Sequence, residues 1–165
     1  MNSSNCTIEI RVIEPGDIVA MAEIIRTVMA EFGAVGEGYS IEDLEVDDMY
    51  ASYSGERERY FVALSDGVIL GGAGIAKLLG GEERTCELRK MYLLPEGRGL
   101  GVGEHLLDLC LAAAKELGFG ECYLETLGRM EKATRLYLKL GFEALRGPMG
   151  VTGHHGCDSW LLKRL

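Results

Sequence analysis

Proline is scarce in this chain, three residues in 165, and each marks a turn rather than a boundary between domains. No internal repeat or low-complexity linker divides the sequence. No apolar run approaches the roughly 18 residues of a membrane helix, and residues 1–5 do not read as a signal peptide. Cysteine is limited to Cys6, Cys86, Cys110, Cys122 and Cys157. An odd number without CxxC spacing argues against a disulfide framework and reads as reduced, mostly buried thiols in a cytoplasmic protein. Positive charge is also short. Seventeen Lys and Arg face 26 Asp and Glu, a net charge of −9, which disfavours nucleic acid as a partner because phosphate backbones need clustered cations. An acidic surface favours a cationic substrate, although acidity also serves solubility alone. What is present is 47% hydrophobic residues, enough at this length to bury one core. The expectation is a single domain over residues 1–165.

Alternation predicts a strand over 7–13, and Pro15 suits a helix start. Ile18, Met21, Ile25, Val28, Met29 and Phe32 then form one apolar helical stripe. Gly33, Gly36 and Gly38 end that helix, and a short acidic helix follows over about 46–54. Strands over 60–64 and 68–76 are joined by Asp66-Gly67, a strong hairpin signal. A strand over about 85–93 leads to a helix over 104–117 that buries Leu106, Leu107, Cys110 and Ala114. Gly118 is its C-cap. A strand over 121–126, a helix over 129–140 and strands over 142–146 and 157–163 complete the chain. That order calls for an α/β or α+β fold in which a mixed sheet carries helices on both faces.

The stretch Arg98-Gly99-Leu100-Gly101-Val102-Gly103 lies between a predicted strand and a predicted helix. Glycines there let backbone N–H groups approach a ligand, and the helix dipole behind them favours phosphate. No Gly-Lys-Ser/Thr follows, so the turn is not a Walker loop, and a nucleotide switch protein is disfavoured. Its GxGxG spacing also departs from the dinucleotide fingerprint GxGxxG. The pattern Arg-x-x-Gly-x-Gly resembles the pyrophosphate-binding motif of the GCN5-related N-acetyltransferases (GNAT). Downstream, Ala133-x-x-Leu136-Tyr137-x-x-x-Gly141-Phe142 resembles that family's second signature, in the right order and separation. The resemblance runs from about residue 8 to 165 and is strongest between 86 and 142.

The resemblance implies the GNAT acyl-CoA N-acyltransferase fold, with a mixed, mostly antiparallel sheet. It also implies acetyl-CoA as acetyl donor, an amine as acceptor and direct attack in a ternary complex. Positions 98–103, from Arg98 through Gly99, Leu100, Gly101 and Val102 to Gly103, would hold the pyrophosphate. Met91, Tyr92 and Leu93 match the strand along which the pantetheine arm lies, where a backbone amide polarises the thioester carbonyl. Tyr137 falls on the position of the acid that protonates the leaving thiolate; a ring that merely packs in the core is the bland alternative. An asparagine often found seven residues earlier is Met130 here.

A protonated amine is not nucleophilic, so a base is needed. Glu125 and Glu87 compete for that role, with Glu125 the first choice and Thr126 a possible contact. Either carboxylate needs burial or a water relay to act on an ammonium. The cluster His154-His155-Gly156-Cys157-Asp158 lacks a second ligand pair, so it reads as a loop near the substrate mouth, with a histidine as alternative base. Glu42, Asp43, Glu45, Asp47 and Asp48 form an acidic run, either a solvated helix face or an attractor for a cationic amine. Many members of the family pair as homodimers, and no surface stripe in this sequence demands it. A non-catalytic acyl-CoA-binding module is the rival from another class.

Overall fold

A computed structural model describes residues 7–165; Cys6 and the stretch 1–5 lie outside the described residues. Seven strands form one sheet: β1 (Ile8–Val12), β2 (Arg59–Ser65), β3 (Val68–Lys77), β4 (Thr85–Leu93), β5 (Glu121–Thr126), β6 (Glu143–Ala144) and β7 (Ser159–Arg164). Their spatial order is β1-β2-β3-β4-β5-β7-β6. β4 and β5 run parallel, and the other neighbouring pairs are antiparallel. The sheet is therefore mixed and mostly antiparallel, as the sequence leads one to expect. The hairpin of β2 and β3 turns at Asp66 and Gly67, with φ of 48° and 82°. Positive φ at both central residues is what a primed turn requires.

Helices cover both faces. The first face carries α1 (Ile18–Glu31) and the four-residue α2 (Met49–Ser52), with Met21, Ile25, Val28 and Met49 packed on Tyr60, Val62 and Ala76. The second carries α3 (Val102–Glu116) and α4 (Glu131–Lys139), with Leu106, Leu107, Cys110 and Tyr137 against Ala73, Ile75, Leu88 and Leu124. No helix among the described residues is long and apolar enough to cross a membrane.

Two local expectations are corrected. Pro15 opens a 3-10 turn over Pro15–Asp17 ahead of α1, where Asp17 accepts from the Glu14 amide at 2.8 Å and takes the fork of Arg11 at 2.7 and 3.0 Å. The acidic helix expected over 46–54 is broken into a 3-10 turn, Leu44–Asp47, and α2. Asp48 breaks it, because its backbone is non-helical and its carboxylate caps the next turn by accepting from Ala51 N at 3.0 Å.

Candidate active site

The site begins where the sheet opens. The parallel strands β4 and β5 pair at Thr85↔Glu121, Cys86↔Cys122 and Glu87↔Tyr123, and beyond that point the ladder ends. On the other side of β4 the register slips: Gly72 faces Tyr92 while Gly74 faces Arg89. Lys90 and Met91 thus oppose the single residue Ala73, which is a β-bulge. Lys90 sits at φ 49°, a conformation that ordinary residues adopt at a cost and that concentrates at functional sites. The bulge turns both Arg89 and Lys90 toward carboxylates. A tyrosine braces it. The Tyr60 hydroxyl donates to the Lys90 carbonyl at 2.7 Å, its ring crossing β3 where a Cβ at Gly72 or Gly74 would stand 2.6 or 2.4 Å from it.

Outside the bulge runs a groove of about 610 Å³. Met91, Tyr92 and Leu93 form one wall, α4 residues including Leu136 and Tyr137 the other, and Gly99, Gly101 and Gly103 the end. Gly99 and Gly101 have φ of 74° and 76°, and a Cβ at either would meet nothing within 4 Å. Gly101 is the N-cap of α3 and no side chain caps that helix, so first-turn N–H groups stand beside open space. Such an end suits a phosphate.

The side chains of the turn divide their roles. Leu100 is exposed and Val102 is buried in the core, so these two offer backbone rather than side chain. The Arg98 guanidinium is already committed: it takes both oxygens of Glu31 at 2.7 Å and donates through Nε to Leu93 O at 2.9 Å. Arg98 therefore ties the turn to β4 and to the end of α1.

Inside the bulge lies a chamber of about 60 Å³. Tyr137 borders both cavities. Its ring packs edge-on against Phe142 and its hydroxyl lies 3.7 Å from the Met91 sulfur. Burial pushes the phenol well above its ordinary pKa, which keeps it protonated. Glu87, Glu125, Thr126, Lys90 and His154 line the same chamber. Glu87 accepts from Arg89 Nε at 2.6 Å; burial raises its pKa although Arg89 opposes the shift. Glu125 accepts from Tyr123 Oη at 2.7 Å and from Thr152 Oγ1 at 2.9 and 3.0 Å. Thr126 and Met130 touch one another at 3.8 Å on the chamber wall.

The acidic run does not act as one face. Asp43 and Glu45 point inward, at 2.5 and 2.7 Å from Lys90 Nζ. Burial opposes the charge on Lys90, but Glu45 and Asp43 outweigh it and raise its pKa. Asp47 instead pairs with Arg26 and Asp48 caps α2. The two adjacent histidines also part: His154 enters the chamber, while His155 packs on Gly38.

Lys90, Arg89 and Tyr60 are the residues that sequence reasoning missed. A signal for the first two exists, since consecutive cations in a buried strand break the period of two and mark a bulge.

A profile of the "Acetyltransferase (GNAT) family" matches residues 16–142. Among related proteins, YjgM of Escherichia coli (strain K12), an uncharacterized N-acetyltransferase, is 41% identical over 150 residues, 90% of each chain. The acetyltransferase of GNAT family from Staphylococcus aureus Mu50 superposes with a TM-score of 0.83 at 18% identity, over 96% of this chain and 99% of that one. The PaiA N-acetyltransferase of Thermoplasma acidophilum, in complex with coenzyme A, gives a TM-score of 0.75 at 20% identity, over 96% and 99%. The two structural likenesses carry the fold. The profile match and the E. coli relative establish that this chain belongs to the GNAT family of acetyltransferases.

Proposed function

We propose that the protein transfers an acetyl group from acetyl-CoA to a small cationic amine by direct attack within a ternary complex. The observation that carries this reading is Tyr137, which borders both a phosphate-suited groove and a carboxylate-lined chamber. The open glycines of the turn and the uncapped start of α3 fit the pyrophosphate of the donor, and PaiA, of like fold, binds coenzyme A. Met91, Tyr92 and Leu93 would line the pantetheine arm. The donor supplies the acetyl group as a thioester.

In this reading Glu125 takes a proton from the acceptor ammonium, freeing the nitrogen lone pair. The amine nitrogen bonds to the acetyl carbon, the carbon–sulfur bond breaks, and Tyr137 protonates the departing thiolate. The second proton lost by the nitrogen restores Tyr137. Each turnover thus releases one proton net.

Charge supports a cationic acceptor. Glu87 and Glu125 line the chamber, while its cations Lys90 and Arg89 are each paired with carboxylates, Asp43, Glu45 and Glu87. An acceptor bearing its own carboxylate meets cations that already have partners. Of the acidic run expected to attract a cation, Asp43 and Glu45 turn toward Lys90 beside the chamber, whereas Asp47 pairs with Arg26 and Asp48 caps α2. The test is CoA thiol release from acetyl-CoA with a panel of mono- and polyamines, amino acids and neutral amines. Cationic amines are expected to react, with KM rising with ionic strength because salt screens over about 8–10 Å. Reaction confined to neutral or acidic acceptors overturns the substrate class, and CoA binding with no transfer to any amine turns the reading to a non-catalytic module.

A further inference from the structure

Each turnover must expel a proton from the chamber that receives the amine. Glu125 has a side chain only 4% exposed, and its neighbours differ in what they can do with a proton. Tyr123 donates to Glu125 and accepts from the Met149 amide at 3.0 Å; an amide N–H cannot take a proton onward. Thr152 accepts from the His154 amide at 3.2 Å and ends the same way. Glu87 is held by Arg89, a guanidinium that stays charged. His154 is different. Its Nδ1 lies 3.7 Å from Glu125 Oε2 and its Nε2 lies 2.8 Å from Asp43 Oδ2. The side chains are 4%, 12% and 29% exposed along Glu125, His154 and Asp43, so the three step outward from chamber to solvent.

We infer that His154 is the proton exit of the site, receiving the released proton from Glu125 at Nδ1 and handing another from Nε2 to Asp43. The inference rests on the proposed acetyl transfer. An imidazole with a carboxylate at each nitrogen can bind a proton on one side and lose one on the other. The 3.7 Å gap is longer than a hydrogen bond; contacts between catalytic groups are often long in the free enzyme and tighten when substrate binds. Backbone hydrogen bonds hold the loop that carries the ring: Cys157 N donates to His154 O at 3.0 Å and Gly156 N to Gly38 O at 2.9 Å.

The groups that face the imidazole are Asp43 from the segment after α1, Glu87 and Lys90 from β4, Glu125 from β5, and Cys157 from its own loop. Burial would raise Asp43, but the hydrogen bond from His154 and the charge of Lys90 bring it below the usual carboxylate range. It therefore sheds a proton readily to water. His154 acts through Glu125 and does not itself touch the acceptor nitrogen, so it is a positioning and relay residue.

The test uses the full chain with acetyl-CoA and an amine that the wild type acetylates. His154→Ala is expected to lower kcat about tenfold or more with KM little changed, since acid–base groups contribute about 10²–10⁴-fold and water replaces part of a relay. Added imidazole, and higher buffer concentration, should restore turnover. His154→Gln, which keeps a donor toward Asp43 but cannot titrate, should stay slow and covers the case in which alanine unfolds the loop. A wild-type rate in either variant, or a loss that imidazole and buffer leave unchanged, overturns the relay while leaving acetyl transfer intact. A wild type that acetylates no amine at all fails the proposed function first, and the relay with it.

Discussion

Tyr137 is held by its ring, against Phe142, while its hydroxyl has one weak contact to the Met91 sulfur. Tyr137→Phe therefore keeps the packing and removes the proton donor. We expect kcat to fall by about 10²–10⁴-fold where chemistry limits, with CoA affinity and Tm little changed; steady-state kinetics beside a CoA titration checks this, and full activity would leave the ring a packing role only. The two glutamates separate by the same kind of comparison. Glu125→Gln should lower kcat by about 10²-fold or more, whereas Glu87→Gln should act mainly on KM. The Glu87 carboxylate is bound by the Arg89 guanidinium, which engages it in an ion pair and leaves it less free to take a proton. If Glu87 is the base instead, the ranking reverses and the acid limb of kcat/KM lies above the ordinary glutamate value of about 4.3. Sequence placed all three residues at one site by family resemblance. It did not reveal their partners, because Tyr123, Thr152 and Arg89 reach them through strand pairing and loop closure.

At the scale of the element, the turn before α3 and the bulge in β4 shape the two cavities. A Cβ at Gly101 meets no atom within 4 Å, so the cost to stability of Gly101→Ala comes from its φ of 76°, about 1–2 kcal/mol. The methyl group stands beside the groove, and CoA affinity should drop at least tenfold by calorimetry; unchanged affinity in the folded variant would remove the turn from the donor site. The bulge has its own brace. Tyr60→Phe leaves the Lys90 carbonyl without its hydroxyl donor at a buried position, a loss of about 1–3 kcal/mol. Because that carbonyl belongs to the bulge, kcat should fall as well. Destabilisation with full kcat would mean that the bulge holds its shape without the tyrosine.

For the molecule as a whole, the ion network around Lys90 joins β4 to the segment after α1. Its two carboxylates raise the Lys90 pKa above the ordinary value, so the sign follows directly. The stabilisation is complete below about pH 10.4, the unfolded-state value, and is lost as pH rises through the higher folded value. Thermal melts should therefore show a steep fall in Tm in the alkaline range that Lys90→Met lacks. At pH 7 that variant should be less stable by about 3 kcal/mol, the low end for breaking a buried pair, since Asp43 and Glu45 keep some solvent. Equal alkaline slopes in the two proteins would assign the loss to other groups.

The sequence by itself determined the element order, the two helical stripes, the Asp66-Gly67 hairpin and the glycine turn, because these depend on period, propensity and backbone freedom over short spans. Through two motifs it also pointed to the family. Only the tertiary structure decided where the acidic run goes. The sequence reads 42–48 as one acidic run, yet a 3-10 turn over Leu44–Asp47 places Asp43 and Glu45 on Lys90 and leaves Asp47 outside with Arg26, while Asp48 caps the next helix. The same holds for His154, which lies 29 positions from Glu125 and 111 from Asp43 in sequence and meets both only because β7 returns beside β5. Contacts of that range follow from sheet register and loop closure, which no local pattern encodes.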